Sequence, residues 1–578
     1  MHSAVSIEKP RRRRQRACRA CDSCFKKKIH CDAATPKCNW CYHHDLPCTF
    51  SRNRETSRAP KNNRARQSSF IEAHPVQKAS NIQLDLPSNQ QGSPSVLGFR
   101  TRDNLHVGGH VLGNLCTFNG LPFFSPSGQQ WVKSRTGEDV DQAYFSPRPS
   151  ESIEATYAGS SRPVGLPDKD LVYYMLDEWE AQVFSKLFPF INRAFFDSTI
   201  DAAYHDKVSV LSPGTASARA CIFAFTTLCL SSSHIQPDSR LMRVEDYVHE
   251  AYRWLPALFL EALALDGLQA LAMLTISSFS MLGNAHLVEM SLSAAPRFVI
   301  HLGGQLAPVY INDHQFKLSL HVRNLFWICY LCDKEFSLRT GYPPCIDDNQ
   351  FDLTLPETTS EGSSPQFVSC LRIALLQSKI YHGLYSMKAL RQTDAQLLGI
   401  IRDLDNDLEV WRSSIPPDSR PRFSERETCA FSTSDTIFQL QYLYCMAMIH
   451  QASGRCSSWV QNKDTSEAGS SLAISVEASR SLLQKLLENR LHLDRNNFRF
   501  CLPYFTTAIC HVFCSILLKP LGPGSQDDRL LITSVPRYIR SRLSAEMTIT
   551  IQQINVFEGF VMELERLSQC AIRNAQRA

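Results

Sequence analysis

Cys21-Asp-Ser-Cys24-Phe-Lys-Lys-Lys-Ile-His-Cys31-Asp-Ala-Ala-Thr-Pro-Lys-Cys38-Asn-Trp-Cys41-Tyr-His-His-Asp-Leu-Pro-Cys48 decides how the N-terminal part of this chain folds. The cysteines follow one half-pattern, C-x2-C-x6-C, written twice and joined by six residues that include Pro36. Zinc in a structural site takes four ligands in a tetrahedron, and thiolates suit it. Two independent sites would need eight cysteines, so six satisfy two zinc ions only when two thiolates bridge both metals. The symmetric choice of bridges is the first cysteine of each half. One zinc then takes Cys21, Cys24, Cys31 and Cys38, and the other takes Cys38, Cys41, Cys48 and Cys21. Each C-x2-C can open a short helix whose backbone amides face the sulfurs and stabilise their charge.

The surroundings support metal over disulfide. Of 21 cysteines, seven lie between Cys18 and Cys48, and the rest are scattered through apolar segments as small hydrophobes. No apolar run follows Arg11–Arg14, so no secretory signal is expected, and clustered cysteines outside an oxidising compartment read as metal ligands. Cys18 would break the repeat and is expected to be a free thiol. His43 and His44 could complete two mononuclear sites, a reading the doubled spacing disfavours.

Charge points the same way. Residues 1–66 carry 17 Lys and Arg against 5 Asp and Glu, a balance of +12, whereas the remaining residues sum to −7. A basic arm on a mildly acidic body implies an anionic partner for the arm alone. Six thiolates and two Zn²⁺ leave −2, which Lys26, Lys27 and Lys28 more than offset. These lysines sit on a short helix aimed by the metal core. Arg12, Arg13, Arg14 and Arg16 are expected to contact phosphates or to serve nuclear import.

These motifs resemble the fungal six-cysteine binuclear zinc cluster transcription factors. The resemblance implies that Lys27 and Lys28 approach a CGG-type half-site in the major groove, where lysine can read guanine O6 and N7. Phe25 and His30 depart from the family pattern, which usually has Arg or another polar residue at the first place and Lys at the second. Further along, Leu187-Phe-Pro-Phe-Ile-Asn-Arg193, then Arg323-Asn-Leu-Phe-Trp327 with Asp333, Ser337, Gly341, Pro343 and Ile346 to Pro356, then Leu404-Asp405 with Leu408, Trp411 and Pro416-Pro417, resemble the family's helical regulatory domain over about 170–455.

The expected architecture is mostly α: a basic arm at 1–17, a binuclear zinc cluster module at 18–50, a mostly disordered linker at 51–167, and an all-α regulatory domain at 168–578. The linker is rich in Ser, Pro, Asn, Gln and Gly, with a short ordered patch expected at 118–124. Beyond Asp168, helices are expected at 171–184, from Asp266 to Gly283, from Asn284 to Gly303 with a kink at Pro296, and at 316–340, 366–391, 394–413, 433–453, 471–491, 500–518 and 545–573. Gly267–Gly283 and Cys501–Leu518 are apolar but interrupted by polar residues, and read as buried helices rather than membrane spans. Cys329, Cys332 and His511 are expected to be core residues, and Asp333 and Arg339 structural.

No H-E-x-x-H or G-x-S-x-G is present. Gly108 to Gly113 has P-loop glycine spacing, but Asn114 and Leu115 stand where Lys and Ser/Thr are required. The chain therefore reads as a nuclear, zinc-dependent, sequence-specific transcription factor that is no enzyme and binds double-stranded DNA. Co-regulators or a small-molecule signal would act at the helical domain, and no membrane is involved. The alternative is a zinc-containing nucleic-acid-binding protein without strong sequence preference. Residues 51–90 offer no sustained apolar heptads, so no coiled coil is evident after the cluster, and oligomeric state is left open.

Overall fold

The computed structural model describes residues 21–26, 36–38, 41, 47–49, 103–116, 121–141, 163–230, 240–241, 243–277, 285–357, 364–423, 433–461, 466–488, 497–542 and 548–577. The chain divides into two units, Met1–Pro94 and Ser95–Ala578. In the first, helix α1 (Asp22–Lys26) leads directly out of Cys21.

The second unit begins with a feature the composition concealed. Strands β1 (Leu105–Val107), β2 (His110–Asn114) and β3 (Phe123–Phe124) form a three-stranded antiparallel sheet, followed by helix α2 (Pro126–Thr136). The expected linker is thus folded at 103–116 and 121–141, while 51–102 and 142–162 lie outside the described residues. The P-loop-like glycines turn the hairpin: Gly108 and Gly109 take φ of 55° and 83°, as a two-residue primed turn requires. Leu105, Val107, Leu112, Phe124, Trp131 and Val132 are buried in the main core.

Polar side chains tie this sheet to helices far away in sequence. Asn104 Nδ2 donates to Arg339 O at 3.1 Å, and Asn114 Nδ2 donates to Thr340 O at 2.5 Å. Gln451 Nε2 donates to Asn104 O at 2.7 Å. Asn574 Nδ2 donates to Thr136 O at 2.6 Å. The sheet therefore caps carbonyls at the end of a long helix that would otherwise be buried without partners. Gly113, with φ 151°, lies so close to Phe123 that an added Cβ would meet its carbonyl oxygen at 1.9 Å. Gly113→Ala is expected to lower the stability of this unit by about 1–3 kcal/mol, from the strained backbone alone. Denaturant unfolding followed by far-UV circular dichroism measures it, and an unchanged midpoint would mean that the β2–β3 contact is dispensable.

Helices follow almost without interruption. Next come α3 (Lys169–Ala181), α4 (Val183–Leu187), α5 (Arg193–His205), α6 (Thr215–Leu230), α7 (Val244–Leu258) and α8 (Leu265–Ser277). The apolar α6 is a hub against which α7 and α8 pack. Asp266 lies inside the first turn of α8 rather than at its cap. Its buried carboxyl accepts from Thr199 Oγ1 at 2.6 Å, and burial pushes its pKa up to about 6. Helix α9 (Ala285–His301) contains Pro296 and ends before Gly303, while the expected cap Asn284 lies outside the described residues.

The central helix α10 (Asp313–Thr340) is capped by Asn312, whose side chain accepts from the Gln315 amide, and is closed by Gly341 at φ 72°. Its signature residues lock the segment that follows. Arg323 donates to Gly304 O at 3.0 Å and stacks on Phe326 and Trp327. Asp333 accepts from the amides of Cys345 and Ile346 at 2.7 and 3.1 Å. Arg339 pairs with Glu335, which also accepts from the Tyr504 hydroxyl. Asp333 and Arg339 are structural, as expected.

The helix expected at 366–391 is shorter: α11 (Pro365–Ile380) runs into a π turn at Tyr381–Tyr385 and a 3-10 turn at Ala389–Arg391. Helix α12 (Asp394–Ser413) begins at a capping box, with Thr393 and Gln396 bonding reciprocally. The chain ends in α13 (Thr433–Gln451), α14 (Ser466–Leu487), α15 (Asn497–Leu518), α16 (Ser525–Arg542) and α17 (Thr548–Arg577). Cys501–Leu518 is long and apolar enough to cross a membrane, yet 89% of it is buried inside the folded unit. It forms part of the core alongside α13, α14 and α16.

Candidate metal centre and nucleic-acid interface

The short module can bury little apolar surface, so its centre is made of sulfur. Cys21, Cys24, Cys38 and Cys41 are fully buried, with Cys48 packed beside them. Cys21 Sγ lies 3.7 Å from Cys38 Sγ and 3.6 Å from Cys41 Sγ, and Cys24 Sγ lies 3.6 Å from Cys38 Sγ. Thiolates bound to one zinc at about 2.3 Å stand about 3.8 Å apart along the edge of a tetrahedron, so these spacings fit a shared metal. The ligand atoms of Cys21, Cys38, Cys41 and Cys48 all lie within 4.8 Å of one another. Among the described residues this is the one such group, and it is the set expected around the second zinc. The first set is represented by Cys24 against Cys38, while Cys31 lies outside the described residues.

Backbone geometry organises the sulfurs. Helix α1 starts one residue after Cys21, and the Cys24 amide donates to Cys21 Sγ at 3.4 Å. The Cys38 amide donates to Cys48 Sγ at 3.2 Å. The two ends of the module are tied together: Asp22 N donates to Thr49 O at 2.7 Å, Ser23 Oγ to Pro47 O at 2.5 Å, and Thr49 Oγ1 to Asp22 Oδ2 at 2.8 Å.

The crowded thiols cannot share one protonation state. Burial pushes the Cys21 thiol up, but the Cys24 amide and the neighbouring thiols outweigh it and bring the pKa down to about 6. Burial and the thiols of Cys38 and Cys21 push Cys41 up to about 12. The Cys38 amide favours the Cys48 thiolate, yet burial and nearby sulfurs leave that group above its ordinary value. A divalent cation resolves this competition by taking every sulfur as thiolate.

Lys26 is exposed at the end of α1. Lys27, Lys28, Arg12, Arg13, Arg14, Arg16, Cys18, His43 and His44 lie outside the described residues. The second C-x2-C of the chain behaves differently. Cys329 is buried in the apolar core, where burial pushes its thiol up to about 12, and Cys332 packs against that core, also with a raised pKa.

Residues 19–57 match the fungal Zn(2)-Cys(6) binuclear cluster domain, and residues 179–413 match the fungal specific transcription factor domain. An ABC-transporter-regulating transcription factor of Aspergillus oryzae is 24% identical over 98% of this chain and 74% of its own length. Its namesake in Aspergillus fumigatus is 23% identical with the same coverage. A transcriptional regulatory protein of Schizosaccharomyces pombe is 22% identical over 97% of this chain and 77% of its own. With the sulfur cluster in its N-terminal module, two zinc ions as its cofactors and a helical domain later in the sequence, the chain carries the two domains found in fungal binuclear zinc cluster regulators and is a DNA-binding transcriptional regulator similar to them.

Proposed function

We propose that this regulator reads CGG-type half-sites in the major groove of double-stranded DNA, with Lys27 and Lys28 on base edges and Lys26, Arg12, Arg13, Arg14 and Arg16 on phosphates. The zinc ligands in this reading are Cys21, Cys24, Cys31, Cys38, Cys41 and Cys48, with Cys21 and Cys38 bridging. The observation that carries it is the convergence of Cys21, Cys38, Cys41 and Cys48 within 4.8 Å, with α1 leading from that cluster to the exposed Lys26. The metals supply folding energy and charge neutralisation, and the protein carries out no catalytic step. Its place of action is the nucleus. Two of the three relatives aligned over nearly the whole chain, those of Aspergillus oryzae and Aspergillus fumigatus, are named for regulating ABC transporters, so transporter genes are the first targets to measure.

Base-reading and phosphate-binding residues differ in how their loss shows. Lys27→Ala or Lys28→Ala is expected to cost about 1–3 kcal/mol on the preferred site and to relax preference at one base position. Joint replacement of Arg12, Arg13 and Arg14 by Ala should weaken binding evenly across sequences and flatten the salt dependence. Binding isotherms on matched and mismatched duplexes at several salt concentrations separate the two. If both sets of variants weaken all sequences alike, the lysines contact only the backbone, and the reading reduces to a nucleic-acid binder without strong preference.

A further inference from the structure

The sulfur cluster holds α1 through Cys21, which precedes it, and Cys24, which lies within it. Two attachment points define a line about which a short helix can still rock. A helix of five residues buries too little to stop that motion by packing alone. Its direction matters, because Lys26 ends it and Lys27 and Lys28 follow directly in sequence.

A third anchor comes from the other end of the module. Asp22 N donates to Thr49 O at 2.7 Å, a backbone bond that holds the chain after Cys48 against the start of α1. Two side-chain bonds flank it. Ser23 Oγ donates to Pro47 O at 2.5 Å, and Thr49 Oγ1 donates to Asp22 Oδ2 at 2.8 Å. Both residues between Cys21 and Cys24 are thus tied to the segment around Cys48. They belong to the half of the cysteine pattern that leads into the lysines. Phe25-Lys-Lys-Lys28 stands after Cys24, whereas Tyr42-His-His-Asp45 stands at the matching place after Cys41.

The bond from Thr49 to Asp22 joins a hydroxyl to a carboxylate in an exposed position. Solvent keeps its contribution to stability modest, and the metal supplies most of the folding energy of so small a module. Orientation is where one such bond counts. A recognition contact needs its side chain within about 0.5 Å and about 10–20° of the working geometry. Phosphate contacts fix register but carry no sequence information. A loosened α1 would therefore cost base reading before it cost general affinity for DNA.

We propose that Thr49 is a positioning residue for base reading: its hydroxyl, bound to Asp22, holds α1 at the angle from which Lys27 and Lys28 reach base edges. This rests on the assignment of those lysines to base edges. Thr49 acts through α1, and its effect is felt only where the lysines read sequence.

The test uses the full zinc-loaded chain with two duplexes, one carrying CGG and one carrying CTA in its place. Thr49→Val removes the hydroxyl and keeps the branched shape. It should retain two zinc ions and bind the CGG duplex about tenfold more weakly, as loss of one hydrogen bond provides, while binding the CTA duplex as the wild-type chain does. Thr49→Ser keeps the hydroxyl and should bind both duplexes like the wild-type chain. In a chain already carrying Lys27→Ala and Lys28→Ala, Thr49→Val should have no further effect, because the contacts it positions are gone. Zinc loss in Thr49→Val, unchanged binding, equal weakening on both duplexes, or no rescue by Thr49→Ser overturns the proposal. A full tenfold loss in the doubly substituted chain overturns it equally. A wild-type chain that binds both duplexes alike is a separate failure: it refutes the base-edge assignment itself, and the proposal falls with it.

Discussion

Cys38→Ser is expected to remove both zinc ions, not one, and to unfold the N-terminal module. Cys38 Sγ stands 3.7 Å from Cys21 Sγ and 3.6 Å from Cys24 Sγ, and its thiolate is assigned to both metals. Each structural zinc contributes on the order of 10 kcal/mol or more of folding energy to a module this small, so nothing else there could hold it folded. Metal analysis should give two zinc ions per chain for the wild-type protein and close to none for the variant, with loss of DNA binding. Cys18→Ser, outside the repeat, should keep both. A variant that retains one zinc would show that Cys38 serves a single metal, and would end the shared-thiolate arrangement.

The second large effect belongs to the helical domain. Arg339 is 1% exposed, pairs with Glu335, and lies 4.2 Å above the Tyr504 ring, while Glu335 also accepts from the Tyr504 hydroxyl. Arg339→Met leaves the Glu335 carboxylate buried without its counter-charge, which costs about 3–5 kcal/mol. Adding Glu335→Gln removes the stranded charge but keeps an acceptor for Tyr504, so the double variant should recover much of that loss. Denaturant unfolding of the two variants checks the order. A single variant as stable as the wild type, or a double variant less stable than the single, would show that this pair does not hold α10 to α15.

How much of this was legible in the sequence depended on local signals. The cysteine repeat was complete on inspection because metal coordination constrains spacing directly. Helix α12 was read to the residue, since Thr393 and Gln396 form a capping box and Ser413 precedes a Pro-Pro turn. The sheet at 105–124 was missed. Its strands are two to five residues long, too short for an alternating pattern to stand out, and they lie in a segment with linker composition. Their stability comes from contacts such as Asn104 to Arg339, more than two hundred residues away, which no local pattern reports. Helix α16 escaped notice because Pro536 lies inside it. His511 lies in the core, as its apolar surroundings in the sequence imply. Its Nδ1 pairs with Ser479, a contact that becomes visible only once α14 and α15 are packed together.

The measurement that bears most directly on the central claim is selection of random duplex DNA by the full, zinc-loaded chain. Sequences containing CGG should be enriched over successive rounds, and both the enrichment and the binding should vanish when a chelator removes the zinc. Recovery of duplexes with no common sequence, retained equally with and without zinc, would contradict the account.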